Sequence, residues 1–272
     1  MNQFFNFKRF SLLVAKHWAD NKKRYLLSVI AFIGLVIAWF VLTLLIDSAT
    51  PMGKGMQFVT FFFALFVAGS FYASQYFRDL GSRARGINFL LVPASAFEKI
   101  LCSLLFTVIL FFVVFTAAFY LVDVLMVSIA KSFLLTDTSS KEKGLLNIFK
   151  ATNLPVEGKS TLNILLVFFA VQSAFLLGSV YFEKYSFLKT VISGFIIFFI
   201  VFCFFFFLYD LMPNGEYADG FLSSYRIIND GKDDYLVRIP AWPGQILYYI
   251  LMYGIAPFLW IVTYFRLKEK QV

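Results

Sequence analysis

The sequence predicts an all-α, polytopic membrane protein with six transmembrane helices and both termini in the cytoplasm. The first reason is composition: 60% of the 272 residues are hydrophobic, 21% are aromatic and only 15% are charged. In a soluble globular domain about 25% of the residues are charged. A soluble fold of this length could not bury so much apolar surface in one core. The composition therefore argues against a soluble enzyme, a disordered protein and a secreted disulfide scaffold.

The second reason is that the charges are confined to parts of the chain. Six stretches of 20 to 23 residues contain no Asp, Glu, Lys, Arg or His. A helix of about 20 residues crosses the roughly 30 Å hydrocarbon layer of a membrane. Backbone groups in lipid must form hydrogen bonds within the protein, which favours helices. The predicted spans are 25–46, 56–77, 100–122, 162–182, 190–209 and 244–265.

The third reason is the uneven distribution of basic residues between the two sides. With the N-terminus inside, the cytoplasmic segments carry 15 Lys and Arg in 60 residues, and the outer segments carry 9 in 82. This is the asymmetry that the positive-inside rule requires. The net charge of +8 then indicates topology and attraction to anionic lipid headgroups, not nucleic-acid binding. The cytoplasmic segments are 1–24, 78–99, 183–189 and the tail 266–272, and the outer loops are 47–55, 123–161 and 210–243.

The N-terminal segment predicts an amphipathic helix at the inner membrane interface. Apolar residues recur there at steps of three and four, while basic residues lie on the other faces. This cytoplasmic interface helix occupies residues 1–24 and leads into the first span, which is too long for a cleavable signal. We expect the single histidine, His17, to be interfacial rather than functional. The apolar face consists of Phe7, Phe10, Val14 and Trp18.

Several kinds of chemistry are disfavoured by what the spans lack. Ion-coupled transporters and voltage sensors carry ionisable groups inside the membrane, and the six predicted spans contain none. Cys102 and Cys203 both fall inside spans, and one histidine cannot form a multi-histidine metal site. Asp123 and Asp210 are expected at the outer membrane interface. We therefore expect no catalytic, cofactor-binding or metal-binding residues in this chain.

Other residues in the spans predict how the helices pack. Small residues at four-residue steps, such as Ala170, Ala174 and Gly178, allow close helix approach. Pro257 should kink the sixth span because it removes one backbone donor. The eight Phe residues of 194–209 predict a surface that faces lipid or a partner. Polar residues either line a pathway or, as we favour, bond between helices: Gln57, Gln75, Asn163, Gln172, Ser173 and Ser179.

The loop 78–99 is the inner loop long enough to hold a docking element. It contains an apolar patch before Pro93, and then Ser95 and Glu98 in capping-box spacing. The sequence lacks GxxxxGK[ST] and so has no phosphate-binding loop of its own. If this protein transports a substrate, the energy must therefore come from a partner.

At this loop the sequence resembles the ABC-2 type permeases, the membrane subunits of ATP-binding-cassette exporters. The resemblance is carried by the basic amphipathic helix, the six spans, the stretch GINFLLVPASAFEK at 86–99 and the short charged tail. It implies that the loop forms a coupling helix resting on a separate ATPase, which binds ATP and magnesium. Gly86, Leu90, Leu91, Pro93 and Ser95 match the pattern of the family, and the flanking charges that could meet the ATPase are Arg83, Arg85, Glu98 and Lys99. The simpler interpretation of the same residues is a helix cap with positive-inside anchors.

The resemblance implies a permease subunit of an exporter in the inner membrane of a bacterium. It would form a homodimer or a heterodimer with a second permease, and it would move an apolar or amphipathic substrate, such as a lipid, a peptide or a drug. One alternative is a non-transporting membrane scaffold or assembly protein that binds other membrane proteins through its spans. A second alternative, an integral-membrane enzyme acting on lipid, would need paired acids or histidines at one interface.

Overall fold

The six predicted membrane helices are confirmed. The computed structural model describes residues 5–46, 54–133, 159–210, 215–217, 224–227, 235–238 and 241–270, and within them six helical segments are long and apolar enough to cross a membrane. The helices are α1 (Phe7–Ile46), α2 (Lys54–Tyr76), α3 (Arg83–Leu90), α4 (Ala96–Leu104), α5 (Phe111–Phe133), α6 (Lys159–Tyr181), α7 (Ser186–Asp210), α8 (Ala241–Tyr249) and α9 (Ile255–Glu269).

The N-terminal segment is helical as predicted, but it is not a separate helix. It continues into the first span as one helix of 40 residues, about 60 Å long at 1.5 Å per residue. No Gly or Pro occurs before residue 34 to interrupt the hydrogen bonding. Helix α1 is therefore about twice as long as the hydrocarbon layer is thick, so part of it must extend beyond the membrane.

The third span is also longer than the sequence indicated. Helices α4 and α5 are joined by a π-helical segment, Leu105–Leu110, into one continuous rod. Helix α1 lies parallel to this rod, with ring contacts from His17 to Phe106 and from Phe32 to Phe115. The two rods extend together past the end of α2, on the side that carries α3. We call that side the inner end of the bundle.

Asp123 lies in a different environment from the one we expected. Helix α5 continues ten residues beyond it, to Phe133, and the Asp123 side chain is fully buried. It lies one turn beyond Phe119, whose ring meets Phe61 of α2 in the core. The interfacial expectation failed because the uncharged stretch ends at Val122, whereas the helix does not. Asp210 ends α7, and its side chain lies outside the described residues.

The core divides into an outer and an inner cluster. The outer cluster is aromatic and joins α1, α2, α5 and α6, with Phe40, Phe61 and Phe168 fully buried. The inner cluster joins α2, α4, α6 and α9 around Leu176 and Leu267. Helix α7 lies at the periphery, and every side chain from Phe195 to Phe207 is exposed. This agrees with the predicted lipid- or partner-facing Phe surface.

Outside the membrane helices, the predicted outer loop 210–243 contains a small sheet. Strands β1 (Gly215–Tyr217), β2 (Ser224–Ile227) and β3 (Tyr235–Arg238) pair antiparallel in the order β1-β2-β3. The sequence indicated only a small cap here, because strands of three and four residues are too short to show a clear alternation. In the other long outer loop, residues 134–158 lie outside the described part of the chain.

Pro257 lies just after a helix irregularity, and the predicted kink itself stays a prediction. The segment directly before α9, Ile250–Gly254, is π-helical. The proline ring cannot donate a hydrogen bond and clashes with the carbonyl four residues earlier, at Tyr253. A π turn at this point accommodates the clash while keeping the backbone bonded inside the membrane.

The small residues do allow close helix approach. A Cβ atom on Gly178 of α6 would overlap the Thr190 hydroxyl of α7, and a Cβ on Gly69 of α2 would come within 2.5 Å of the Phe168 ring of α6. Gly194 of α7, in contrast, has open space around its Cβ position. The glycines at 69 and 178 therefore set the spacing between α6 and its two neighbours.

We predict that Gly178→Val destabilises the bundle and that Gly194→Val does so far less. The valine methyl groups at 178 would force α6 and α7 apart, at a cost of about 1–3 kcal/mol. Thermal unfolding in detergent should show a clearly lower midpoint for the first variant. Equal shifts for the two variants would contradict the close contact between α6 and α7.

Candidate functional site

The Glu98 carboxylate organises the inner end of the bundle. The Ser95 hydroxyl accepts a hydrogen bond from the Glu98 N–H at 3.1 Å, and the carboxylate accepts one from the Ser95 N–H at 2.9 Å. This is the capping box that the sequence predicted. It satisfies two backbone donors that would otherwise have no partner at the start of α4.

The same carboxylate binds the start of α1. Arg9 donates from Nε at 2.9 Å and from Nη2 at 2.8 Å, and the Asn6 N–H donates at 2.8 Å. Glu98 is inaccessible to solvent, and Arg9 is 35% exposed. One buried carboxylate therefore joins two helix starts that are 89 residues apart in the sequence.

Lys99 is also directed inward. Its side chain is only 2% exposed, and its ammonium donates to the Leu90 carbonyl at 3.1 Å and lies 5.3 Å from the centre of the Phe89 ring. The Leu90 carbonyl ends α3, where carbonyls lack helical partners. Lys99 thus ties the end of α3 to the start of α4. Because Glu98 and Lys99 are both buried, neither side chain lies on the surface where we expected charges to meet a partner.

The outer surface of α3 carries a different set of side chains. Ile87 is 53% exposed and Leu91 is 74% exposed, and they lie four residues apart on one helix face. Arg85, two residues before Ile87 and therefore on a different side of the helix, is 76% exposed and forms a 3.7 Å ion pair with Asp79. Pro93 is exposed, Gly86 is buried and Leu90 is half-buried. The side chain of Arg83 lies outside the described residues. We call Arg85, Ile87 and Leu91 the α3 face.

The predicted apolar face of the N-terminal helix is divided between two environments. Phe7 is 75% exposed and Trp18 is 50% exposed, which suits contact with the lipid interface. Phe10 and Val14 are half-buried. The ring of Phe10 packs on that of Phe5, which in turn meets Phe97 of α4. The half-buried residues of this face therefore form part of the contact between α1 and α4.

His17 belongs to an aromatic cluster that the sequence did not reveal. Its ring stacks on Tyr76 of α2 and contacts Phe106, and Nε2 shares a hydrogen bond with the Tyr25 hydroxyl. The Tyr25 ring also contacts Tyr72 of α2. The cluster links α1 to α2 across a gap between the two helices.

That gap is a groove of about 1260 Å³. Helices α1 and α2 form its walls and α5 forms its floor, and residues of α3 together with Lys99 of α4 also line its inner end. The middle of the groove is apolar, whereas the inner end is rich in cations. Its apolar lining includes Phe32, Leu35, Ala68, Phe111, Val114 and Ala118, and its charged lining is Lys16, Asp20, Lys22, Lys23, Arg24, Asp79, Arg85 and Lys99.

Of the six polar residues that we considered for a pathway, Asn163 and Gln172 bond to another helix, as we favoured, whereas the two serines bond within their own helix. The Gln172 amide of α6 donates to the Thr107 carbonyl in the π-helical segment. That carbonyl is accessible because the Phe111 N–H, which would bond to it in an α-helix, bonds to Phe106. Ser173 and Ser179 donate to carbonyls of their own helix. Of the six polar residues named above, Gln75 lines the groove.

Comparison with known proteins provides no further guide. No protein-family model, curated protein or solved structure matches this chain. Within the described residues, no group of three or more His, Cys, Asp or Glu is placed to hold a metal ion. The candidate site is therefore defined by its own geometry: the joint at Glu98, the α3 face and the groove.

We predict that Ser95→Ala lowers the stability of the inner end and that Ser82→Ala does not. Ser95 caps α4 through its hydroxyl, and losing such a cap costs about 1 kcal/mol. Ser82 occupies the same position before α3 but makes no side-chain cap bond. Hydrogen exchange of the first turn of α4 should become faster in Ser95→Ala. Exchange of the first turn of α3 should not change in Ser82→Ala. Similar exchange in both variants would show that the Ser95 hydroxyl is dispensable.

We also predict strong coupling between Arg9 and Glu98 in a double-mutant cycle with Arg9→Gln and Glu98→Gln. Each single variant leaves one buried or half-buried partner unmatched, so the double variant should lose much less than the sum. The Arg266–Glu269 pair, at 2.7 Å but with a glutamate that is 62% exposed, is the matched control and should couple weakly. Thermal unfolding in detergent measures both cycles. Additive losses of stability in the Arg9 and Glu98 variants would contradict the role of this ion pair in holding α1 to α4.

Proposed function

We propose that this protein is the permease subunit of an ATP-driven exporter in the inner membrane of a bacterium, with its N-terminus inside. A separate ATP-binding-cassette ATPase supplies the energy, and the permease forms a homodimer or a heterodimer with a second permease. The observation that carries the proposal is the α3 face, which is tied through Lys99 and Glu98 to both α4 and α1. The substrate is an amphipathic molecule.

The exposed character of the α3 face supports docking of a partner. Two large exposed apolar side chains on one side of α3, with an exposed arginine on another side of the same short helix, match the composition of interface cores. The backbone of α3 is held from behind by the Lys99 ammonium, so a partner would meet a positioned surface. A plain helix cap needs no exposed Ile87 and Leu91.

The connection from α3 to the groove supports transmission of movement. A force on α3 passes to α4 through Lys99 and to α1 through the Glu98–Arg9 pair. Helix α1 forms one wall of the groove, and α5 forms its floor. The π-helical segment Leu105–Leu110 lies between α4 and α5, and such segments are common at functional sites in helices. A shift at the inner end would therefore change the width of the groove.

We predict that Arg85→Glu and Leu91→Glu weaken association with the ATP-binding-cassette ATPase that this proposal requires. Each places a negative charge on the α3 face without touching the joint, so copurification should fall at least tenfold and permease-stimulated ATP hydrolysis should fall with it. Lys268→Glu, an exposed charge reversal at the end of α9, is the control and should leave both unchanged. Unchanged binding and hydrolysis in both α3 variants would refute the docking assignment.

A further inference from the structure

We propose that the groove between α1, α2 and α5 binds an anionic phospholipid, with the headgroup at the cationic inner end and an acyl chain along α5. The groove extends from Lys16 and Arg24 at the inner end to Ala118 in the middle of the bundle. Arg24 and Gln75 stand on opposite walls near the inner end, and the apolar floor begins at Leu110.

The charge at the inner end calls for an anion. Six cations and two carboxylates line this part of the groove, so positive charge is in excess by four. Arg24 donates to the amide oxygen of Gln75 at 3.2 Å, and Arg78 donates to the same oxygen at 3.2 Å. Arg24 lines the groove, whereas Arg78 approaches the same amide from just outside the lining, and both side chains are exposed. Within the described part of the chain, neither arginine pairs with a carboxylate. A phosphate group beside Gln75 would be within reach of both guanidinium groups.

The shape and the apolar lining of the middle of the groove, beyond the cations, fit a hydrocarbon chain. Leu110, Phe111, Val114 and Ala118 form a stripe along α5 at steps of one, three and four residues. From 110 to 118 this stripe rises about 12 Å, which is the length of roughly nine or ten methylene groups. Phe32 and Leu35 of α1 and Ala68 of α2 close the sides with apolar surface. The headgroup cations and this apolar floor are continuous within one cavity.

The combination selects a phospholipid over the other substrates of the proposed exporter. A neutral drug would leave the cations unbalanced, and a free phosphate ion would leave the apolar floor without an occupant. The inner end also lies beside the exposed Trp18 and the basic run Lys22–Arg24, which favour contact with the headgroups of an anionic leaflet. The assignment of this lipid as the transported substrate rests on the proposed function, whereas its binding does not.

Native mass spectrometry of the purified full-length chain, without any ATPase, tests the binding. Phosphatidylglycerol should bind at least tenfold more tightly than phosphatidylcholine with the same acyl chains. The Arg24→Gln/Arg78→Gln variant should lose this preference, while Lys268→Gln should retain it. Val114→Trp, which fills the groove, should weaken both lipids at least tenfold. Val113→Trp, an exposed position on the same helix outside the groove, should weaken neither.

Each failure has a distinct meaning. Equal affinity for the two lipids in the wild type would overturn the proposal, as would equal effects of the two tryptophan variants. Displacement of the lipid by millimolar inorganic phosphate would show a simple anion site without a role for the acyl chain. Thermal unfolding of each variant confirms that the comparison is made on folded protein. The lipid-binding assay contains no ATPase, so it is independent of the docking assay. A failure of ATPase docking would refute the proposed function but would not affect the conclusion on lipid binding.

Discussion

The burial of the Glu98 carboxylate is the interaction on which the inner end of this protein depends. A buried charge is costly unless it is matched and fully hydrogen-bonded, and Glu98 receives two donors from Arg9, one from Asn6 and one from Ser95. Each donor fixes a different piece of backbone. The first turn of α1, the cap of α4 and, through the neighbouring Lys99, the end of α3 are thereby held as one unit. The parallel course of α1 and the α4–α5 rod begins at this joint.

The membrane imposes the second constraint, because few kinds of side-chain contact can determine how helices pack in its hydrocarbon layer. Helix packing there uses small residues and aromatic rings instead of charges. Gly69 and Gly178 bring α6 against α2 and α7, and Phe61 meets Phe115 and Phe119 edge-to-face in the outer core. The Gly69 contact draws α2 towards α6, whereas the Phe61 contacts hold α2 against α5. Helix α1 packs on the α4–α5 rod, so α1 and α2 diverge and leave the groove between them.

Much of the fold, and part of the site, could be predicted from the sequence. Uncharged stretches long enough to cross a bilayer identify the six spans because hydrocarbon excludes charge. The capping box at Ser95 and Glu98 is a local backbone effect that short-range spacing reveals. Span ends were less well predicted. Helices α1 and α5 both continue through charged residues. Asp123 is buried in the protein, whereas the inner half of α1 remains largely exposed.

The sequence by itself determined the membrane class, the number of spans and the position of the helix cap, because each follows from composition or from contacts within a few residues. Only the tertiary structure decided which charges are available to a partner. Arg9 finds Glu98, and Lys99 finds Leu90, through contacts that composition cannot indicate. Because of these pairings, the side chains of Glu98 and Lys99, which we expected to meet a partner, point inward. Arg85, Ile87 and Leu91 remain on the surface. The groove likewise arises from residues on several separate helices. Its cations and its apolar floor become one site only when those helices pack.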